Sequence, residues 1–596
     1  MTRDSWRSLP AMFFDRALRL GEKPFLWGKR EGHYRPMTWT AAASDIQRLA
    51  YGLRSLGISP GDRVGLVVEN RPEWVIADLA IMSAGAITVP GYVTQTVEDH
   101  RHLLAHSGAC AVIVSKAPSS ATVLAAANLV ESLHTVIEIE PTAARAGSVD
   151  IRSWEEVLAR GSYDAGDISQ YIDAIKPDDI ACLIYTSGAS GIPKGVMTSH
   201  RNILANCRGL HGVLETLGLD DEVFLSFLPL SHSYEHTAGM MLPISLGAQI
   251  FFAEGADTLA ANMLEARPTI VTAVPRLYEI LQRRIRSEAE RQGAVAKLLL
   301  DQAVKIGRKR SVSQPVSFGE RLIDPLLDRL VRSKLHRRFG GRLKAMISAG
   351  APLNPEIGSF FLALGIRLLQ GYGQTEAGPG ISCNSPAQIK LDTVGPPLDG
   401  VRVRIAEDGE IWVAGENIMN GYWNDPEATA EVLDDGWLKT GDIGFLDRDG
   451  FIRITDRKRD IIKTSGGEMI SPARVEGLLT AEPELAQAMV FGDRRPYLVA
   501  ILVPDPDFVA RFTPQNNDTS PSASDPRLTK AIGTAVARVN QLLSPCERVR
   551  RFSIADEPFT TANGLMTPTL KIRRNAIRET YCAALDALYE RAHAAD

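Results

Sequence analysis

The chain has 596 residues, of which 45% are hydrophobic and 23% are charged, a composition typical of soluble globular proteins. This length is more than one hydrophobic core usually spans, so we expect two or more domains. The net charge of −5 provides no general attraction to nucleic acid, and no nucleic-acid partner is expected.

Neither an export signal nor a metal framework is indicated. Arg16 and Arg19 interrupt the apolar residues near the start of the chain, which argues against a secretory signal. No window reaches the roughly 20 uninterrupted apolar residues of a transmembrane helix. The six cysteines are scattered without a C-x-x-C pair, which indicates reduced structural thiols and no zinc site. We therefore expect a cytoplasmic protein without a transmembrane segment.

Short apolar runs alternate with helical patterns over roughly the first 380 residues, which predicts an α/β fold with largely parallel sheets. Strands are predicted to begin near Arg63, Cys110, Ala248, Thr269 and Leu343. After Val394 the pattern changes to short strands and turns. We predict a large N-terminal domain over 1–456 with a β-rich subdomain at 394–456, and a smaller mobile α+β domain over 457–596. The polar residues 513–526 predict a mobile surface loop.

The charge is uneven along the chain. Residues 283–344 contain 17 Lys and Arg against 6 Asp and Glu. Within this basic segment, Asp324 and Pro325 are predicted to be the N-cap and first residue of a helix. One apolar face of that helix is predicted from Leu326, Leu327, Leu330, Val331 and Leu335. Such a face normally packs on the protein's own core; the alternative is peripheral contact with an anionic membrane at its inner face.

The stretch "YTSGASGIPKGV" from Tyr185 to Val196 follows an apolar run that predicts a buried strand. Glycines, hydroxyls and Lys194 are typical of a loop that binds phosphate through its backbone. The loop differs from the Walker A pattern, because Pro193 replaces its second glycine and Gly195 replaces its magnesium-binding hydroxyl residue. A P-loop kinase or ATPase is therefore disfavoured. Taken alone, the loop could also be a structural turn.

Seven segments in chain order resemble the motifs of the adenylate-forming superfamily, which includes acyl-CoA synthetases, luciferases and peptide-synthetase adenylation domains. They are YTSGASGIPKG from Tyr185, LPLSHSYEH from Leu228, SAGAPL from Ser348, LQGYGQTEAG from Leu369, WLKTGDIG from Trp437, DRKRDIIKTSGGE from Asp456 and NGLMTPTLKIRR from Asn563. Seven motifs in family order are more specific than one glycine-rich loop. The resemblance implies a large adenylate-forming domain followed by a mobile C-terminal domain.

The resemblance also implies an ATP site. The phosphate loop would contribute Thr186, Ser187, Gly188, Ser190, Gly191 and Lys194, with Ala189 in place of a usual hydroxyl residue. The adenine turn and the motif after it would contribute Gly350, Ala351, Gln370, Gly371, Tyr372, Gly373 and Thr375. Asp442 would hold the ribose hydroxyls, with Arg457 and Lys463 as further contacts.

Three catalytic roles are implied. Glu376, with Thr186 nearby, would bind Mg²⁺ through the oxygen ligands that this ion prefers. Lys571 would place its ammonium between the substrate carboxylate and the α-phosphate; the usual preceding glycine is replaced by Leu570. His232 would position the acyl carboxyl group. Glu235 and His236 are equally site residues or support.

The hinge motif implies rotation of the C-terminal domain about Arg459, where lysine or aspartate is commoner. Lys571 is needed for adenylation and must then leave so that CoA can reach the carbonyl group. After rotation, Gly466 and Gly467 would line the pantetheine tunnel, since only glycine allows so close an approach.

Three features resemble long-chain acyl-CoA synthetases: "VPRLYE" from Val274, the basic segment, and "NGLMTPTLK" from Asn563. They imply conversion of a fatty acid, ATP and CoA to acyl-CoA, AMP and pyrophosphate. The alternatives are a fatty acyl-AMP ligase that passes the acyl group to an acyl carrier protein, and a CoA ligase for another acid. A non-catalytic acyl-binding or nucleotide-binding protein is disfavoured, because Lys571 and Glu376 are both present.

Overall fold

The structure, a computed structural model, describes residues 6–116, 118–141, 147, 149–163, 168–187, 192–255, 258–311, 314–466, 468–512, 525–567 and 571–590. The chain divides into two compact units. Unit 1 comprises residues 1–406, 411–440 and 446–453, and unit 2 comprises residues 407–410, 441–445 and 454–596.

Two large sheets form the centre of unit 1. Their strands are β1 (Pro24–Arg30), β2 (His33–Thr38), β3 (Arg63–Val67), β4 (Ile87–Pro90), β5 (Ala111–Val114), β6 (Thr135–Glu138), β7 (Asp150–Ser153), β8 (Ile180–Ser187), β9 (Pro193–Ser199), β10 (Val223–Ser226), β11 (Gln249–Phe252), β12 (Ile270–Ala273), β13 (Ala345–Ser348), β14 (Leu368–Gly373) and β15 (Gly380–Cys383).

The first sheet has the order β7-β6-β5-β3-β4-β8-β9, and its strands are parallel except for the antiparallel pair β8–β9. The second has the order β15-β14-β13-β12-β10-β11-β1-β2, with antiparallel pairs only at its two edges. The strands predicted near Arg63, Cys110, Ala248, Thr269 and Leu343 are β3, β5, β11, β12 and β13. The predicted α/β fold with largely parallel sheets is confirmed.

Helices cover the faces of these sheets. They are α1 (Leu9–Leu20), α2 (Trp39–Ser55), α3 (Pro72–Ser83), α4 (Val97–Ser107), α5 (Ser119–Ala127), α6 (Trp154–Tyr163), α7 (Ser169–Ala174), α8 (His200–Leu214), α9 (Leu242–Leu246), α10 (Leu259–Ala266), α11 (Pro275–Arg291), α12 (Ala294–Ser311), α13 (Phe318–Leu327), α14 (Ser333–Arg338) and α15 (Pro355–Ala363). Helix α3 is buried on all sides from Trp74 to Ser83, as its apolar sequence requires. It lies in a hydrophobic core that includes strands of both sheets.

Short strands follow, as predicted for the β-rich region. They are β16 (Arg402–Ile405), β17 (Glu410–Ala414), β18 (Leu433–Asp434), β19 (Trp437–Leu446) and β20 (Ile452–Arg457), with helix α16 (Pro426–Val432). The sheet order is β16-β17-β19-β18, and β20 pairs with β19.

The last part of unit 2 is an α+β structure. Its strands are β21 (Ile462–Lys463), β22 (Met469–Ile470), β23 (Leu485–Phe491), β24 (Leu498–Pro504) and β25 (Val549–Ile554). Its helices are α17 (Pro472–Ala481), α18 (Pro506–Val509), α19 (Pro526–Asn540), α20 (Arg574–Thr580) and α21 (Cys582–Glu590). Apolar clusters cover both faces of the β23-β24-β25 sheet. Of the predicted loop at 513–526, residues 513–524 lie outside the described residues.

The predicted helix start at Asp324 is wrong. Helix α13 begins seven residues earlier, because the Ser317 side chain and Glu320 form a reciprocal capping box. Asp324 is instead a buried residue inside the helix, where its carboxylate lies 2.9 Å from Arg332 Nη1. A π-helical turn, Asp328–Arg332, connects α13 to α14.

The predicted apolar face is also wrong in part. Leu327 and Leu335 are buried, whereas Leu326 and Leu330 are 53% and 46% exposed. The earlier helix start adds further exposed apolar residues, among them Phe318 and Leu322, at 78% and 66%. We call Phe318, Leu322, Leu326 and Leu330 the apolar ridge. Their spacing of four residues places them on one outward side of the helix. Within the described part of the chain, no helix is both long and apolar enough to cross a bilayer.

Candidate functional site

The two strands that flank the phosphate loop are paired. β8 and β9 run antiparallel, with Thr186 opposite Lys194. This pairing brings the hydroxyl and ammonium candidates to the same end of the first sheet. The Ser187 side chain and residues Gly188, Ala189, Ser190 and Gly191 lie outside the described residues.

A segment far along the chain lies against β9. The Trp423 backbone N–H donates to the Gly195 carbonyl oxygen over 2.7 Å. Lys194 Nζ lies 3.5 Å from Asp425 Oδ2 and 5.1 Å from the centre of the Tyr422 ring. The Tyr422 hydroxyl donates to Glu376 Oε1 over 2.9 Å. One tyrosine therefore connects the phosphate-loop lysine to the candidate metal ligand.

Glu376 is held at the end of the second sheet. It lies in a 3₁₀ turn, Thr375–Ala377, directly after β14. The Met419 N–H donates to its carbonyl oxygen over 3.0 Å. The neighbouring Thr375 hydroxyl lies 2.9 Å from the Ser233 hydroxyl. The candidate metal ligand is thus adjacent to the motif LPLSHSYEH from Leu228, which contains His232 and which we call the acyl segment.

The adenine-motif residues lie at the ends of β13 and β14. Gly350, two residues beyond β13, has φ of +85°, a conformation that favours glycine. Ala351 follows it and is partly exposed. Gln370 and Gly371 lie within β14, paired with Ser348 and Cys383, and Tyr372 is buried. A Cβ at Gly373 would lie 1.8 Å from the Pro379 carbonyl oxygen, so glycine is required there.

The acyl segment begins a π-helix, Glu235–Met241. His232 is partly exposed, whereas residues 233–240 are all buried. The His232 Nδ1 atom accepts a hydrogen bond from the Tyr234 N–H over 3.1 Å. A π-helical turn often marks a functional site, and this one presents His232 at the edge of the core.

Glu235 and His236 face into the core. The Thr272 hydroxyl donates to Glu235 Oε2 over 2.9 Å, and burial raises the pKa of Glu235 to about 7. His236 Nε2 lies 2.9 Å from Asp78 Oδ2 on helix α3. These contacts favour a supporting role for both residues. Sequence reasoning missed Asp78, since only the fold brings α3 to the acyl segment.

In unit 2, Asp442 and Arg457 form an ion pair. Arg457 Nε lies 3.0 Å from Asp442 Oδ1, and the aspartate is buried. The next residue, Lys458, pairs with Asp408 at 2.7 Å. Arg459 follows in an exposed turn over residues 458–460 and lies 3.8 Å from Asp460. The ribose candidate and the proposed pivot are therefore adjacent in this unit.

Lys571 closes a short loop. The Thr567 N–H donates to its carbonyl oxygen over 2.8 Å, and its own N–H donates to the Thr567 hydroxyl over 3.1 Å. The residue retains exposed surface, but the protein crowds its ammonium group. This desolvation, together with Arg457 and Arg459 and opposed by Asp442, lowers the pKa of Lys571 to about 8. Leu570 lies outside the described residues.

A partly buried ion pair anchors the same loop. Arg574 Nη1 donates to Glu476 Oε1 over 2.8 Å, and that oxygen also accepts the Val490 N–H over 2.7 Å. Glu476 is buried, so the pair ties the end of the Lys571 loop to α17 and β23. No sequence signal pointed to Glu476, which precedes Arg574 by 98 residues.

The remaining predicted residues of unit 2 lie around β21. Lys463 ends this strand with its side chain exposed, and its carbonyl oxygen accepts from the Arg494 N–H over 2.8 Å. A Cβ at Gly466 would lie 2.6 Å from Glu468 Oε2, so a side chain there would displace the glutamate. Gly467 lies outside the described residues.

Comparison with known proteins gives matches to two family models, two relatives and one solved structure. A family model described as an AMP-binding enzyme matches residues 13–423, and one described as an AMP-binding enzyme C-terminal domain matches residues 459–593. A protein of Mycobacterium tuberculosis named long-chain-fatty-acid–CoA ligase is 34% identical, covering 94% of this chain and 93% of that protein. The peroxisomal long chain acyl-CoA synthetase 6 of Arabidopsis thaliana is 31% identical, covering 95% and 83%. The solved adenylation domain of a carboxylate reductase from Mycobacterium chelonae has the same fold, with a TM-score of 0.76, 23% identity and coverage of 98% and 91%.

Proposed function

The chain belongs to the AMP-binding enzyme family, and from this membership we propose that it joins long-chain fatty acids to CoA with conversion of ATP to AMP. The observation that carries the substrate class is the pair of relatives, 34% and 31% identical over nearly the whole chain, that are both named for long-chain acyl groups. The predicted resemblance to the adenylate-forming superfamily is confirmed.

The reaction has two half-reactions. In the first, a carboxylate oxygen bonds to the α-phosphorus of ATP while the bond from that phosphorus to its bridging oxygen breaks, and pyrophosphate leaves. In the second, the CoA thiol gives up its proton, its sulfur bonds to the acyl carbon and AMP departs. The first step brings anionic groups together, so positive charge at the reacting atoms is the main requirement.

Lys571 supplies that charge in the proposed mechanism. We assign its ammonium to the point where the carboxylate and the α-phosphate converge during adenylation. Its loop is held by the Thr567 contacts and the Arg574–Glu476 pair. His232 orients the acyl carboxyl group from the edge of the core.

Glu376 and Thr186 fit a magnesium ion, because a carboxylate and a hydroxyl are hard oxygen ligands. The Tyr422 hydrogen bond orients the Glu376 carboxylate beside the strand that follows the phosphate loop. When bound, Mg²⁺ offsets the negative charge of the triphosphate. The residues of this chain place the nucleotide: Lys194 binds its phosphates, the Gly350 turn its adenine, and Asp442 its ribose.

The proposed reaction draws on both units. Thr186, His232 and Glu376 belong to unit 1, whereas Lys571 and Gly466 belong to unit 2. We place the boundary between the domains after residue 456 and the pivot at Arg459, in an exposed turn. Rotation there lets Lys571 serve adenylation, and Gly466 and Gly467 serve thioester formation.

Peripheral membrane contact through the basic segment is part of the proposal. The apolar ridge is exposed, and basic side chains on the same stretch are exposed with it: Arg321, Arg329, Lys334 and Arg337. A helix that combines an exposed apolar side with basic residues suits an anionic lipid surface, such as the inner face of a membrane.

Vesicle binding tests this contact. The protein should bind vesicles with anionic lipid, release in moderate salt, and lose binding in a Leu322→Asp/Leu326→Asp variant. Leu18→Asp is the matched control, since Leu18 is 87% exposed on helix α1. Equal binding to neutral and anionic vesicles, or binding to neither, would assign the ridge to ordinary surface.

The function itself is tested with free acids from acetate to eicosanoate, assayed for AMP release with and without CoA. A buried methylene contributes about 0.8 kcal/mol, so the KM should fall by about four-fold for each carbon that the site encloses. Acyl-CoA should be the product. A preference for short or aromatic acids would refute the substrate class. Transfer to acyl carrier protein in place of CoA would refute the acceptor.

A further inference from the structure

Two histidines on helix α4 contact both ends of the phosphate loop. His102 Nε2 lies 3.1 Å from the Pro193 carbonyl oxygen, directly after the loop. His106 Nδ1 lies 2.8 Å from the Tyr185 hydroxyl, directly before it. A carbonyl oxygen only accepts, so His102 carries its proton on Nε2 in this contact.

The two histidine rings pack against each other on one helix. They are four residues apart on α4, and their rings stack with centres 5.3 Å apart. Helix α4 is fixed at its start by a capping box between Thr96 and Asp99. The pair therefore presents two hydrogen-bonding atoms from one face of a capped helix.

Tyr185 contacts both histidines and also packs against the residue that follows Lys194. Its ring meets both histidine rings edge-on. A Cβ at Gly195 would lie 3.2 Å from the tyrosine ring, so the ring packs closely over the residue after Lys194. Burial raises the pKa of Tyr185, and the hydroxyl stays protonated. Burial and the neighbouring His102 lower the pKa of His106, which favours the neutral ring. A protonated hydroxyl and a neutral ring nitrogen suit a hydrogen bond from Tyr185 to His106.

We propose that His102 and His106 are positioning residues for ATP: through Tyr185 and Pro193 they fix the strand ends that flank the phosphate loop, where Thr186 and Lys194 lie. The inference rests on the proposed function of that loop. It assigns a role in adenylation to residues on α4, a helix outside the seven motifs. Neither histidine contacts the reacting atoms, so their effect is on ATP binding and not on the chemistry of thioester formation.

The test measures the two half-reactions separately. His102→Leu/His106→Phe should raise the KM for ATP in acyl-AMP formation by about ten-fold, since two hydrogen bonds are lost. Conversion of supplied acyl-AMP and CoA to thioester should not change. His102→Gln retains a polar atom near the position of Nε2, and His106→Asn retains one near the position of Nδ1. The KM for ATP of each variant should therefore stay close to the wild-type value.

His134→Phe is the matched control, because His134 is an exposed histidine of the same unit. Tyr185→Phe should raise the KM for ATP by the same factor as His106→Phe. The double variant should raise the KM for ATP no more than either single variant, because both changes remove the same hydrogen bond. An unchanged KM for ATP in these variants, or equal losses in both half-reactions, would overturn the inference. If the wild-type protein forms no acyl-AMP, the proposed function fails first, and that result is distinct from either outcome.

Discussion

The two lysines of the proposed site, Lys194 and Lys571, have different surroundings. Lys194 in unit 1 has the Asp425 carboxylate at 3.5 Å and the Tyr422 ring beside it. Lys571 in unit 2 is desolvated beside Arg457 and Arg459, and its pKa falls to about 8. An ammonium paired with a carboxylate is satisfied before substrate arrives, whereas a desolvated one near Arg457 and Arg459, with Asp442 opposing them, gains most when an anion approaches. The first environment suits steady binding of phosphate; the second suits charge that is used during the reaction.

The sharpest test of this comparison replaces each lysine by alanine. Lys571→Ala should lower the rate of acyl-AMP formation by about a hundred-fold or more, and thioester formation from supplied acyl-AMP should survive. Lys194→Ala should act chiefly on the KM for ATP. Single-turnover measurements of both half-reactions distinguish the two patterns. If the two variants lose both half-reactions alike, the lysines do not have different roles.

The next test concerns the proposed rotation of the C-terminal domain about Arg459. Arg459→Pro restricts the backbone of the turn at 458–460, since proline fixes φ near −65° and limits the residue before it. We expect acyl-AMP formation to survive and its consumption on adding CoA to fail. The measurement is a single turnover followed by a CoA chase, with Arg459→Ala as the control that removes the side chain but leaves the turn free. Equal loss of both steps in a folded Arg459→Pro protein would place the pivot elsewhere.

A smaller effect is expected at Glu376, the candidate metal ligand that Tyr422 connects to Lys194. Glu376→Gln should raise the Mg²⁺ concentration for half-maximal adenylation by about ten-fold or more, because a charged ligand is lost. Tyr422→Phe removes only the hydrogen bond that orients the carboxylate, so a shift of about two- to five-fold is expected. An unchanged magnesium titration in Glu376→Gln would contradict the metal role.

The smallest effect concerns pH. The protonated form of Lys571 prevails below a pKa of about 8, so kcat/KM for adenylation should decline above that pH. Arg457→Gln removes a neighbouring positive charge that lowers this pKa, and the decline should move to higher pH. The position of the decline is compared, not the absolute rate, because Arg457 is itself a candidate ligand contact. If kcat/KM declined at the same pH in both proteins, the decline would not be due to deprotonation of Lys571.

The sequence predicted what is local. The alternation of apolar runs located β3, β5 and β11 to β13, because buried parallel strands are nearly continuous apolar segments. The motifs identified Thr186, Glu376 and Lys571 as candidates, since each belongs to a short contiguous pattern, and their roles stay predictions. The proposed substrate class also rests in part on motifs.

The contacts between distant segments were not predictable in this way. Tyr422 reaches Glu376 because residues 420–423 lie along β9, and Asp78 reaches His236 across 158 positions. No periodicity encodes such pairs. The helix start at Asp324 failed for a different reason: Asp–Pro is a usual opening for a helix, but the Ser317–Glu320 capping box lies seven residues upstream and begins the helix first.

The buried carboxyl group of Glu235 couples folding of the acyl segment to proton uptake. Its pKa is about 7 in the folded chain and near 4.5 when solvated, so between these values the folded protein binds a proton that the unfolded chain releases. The cost of burying this group is absent below the lower pKa, grows as the pH rises, and is complete above the higher one. Glu235→Gln should therefore flatten this part of the dependence of the unfolding midpoint on pH between 5 and 8. At neutral pH the wild-type protein retains part of that cost inside the π-helix that presents His232.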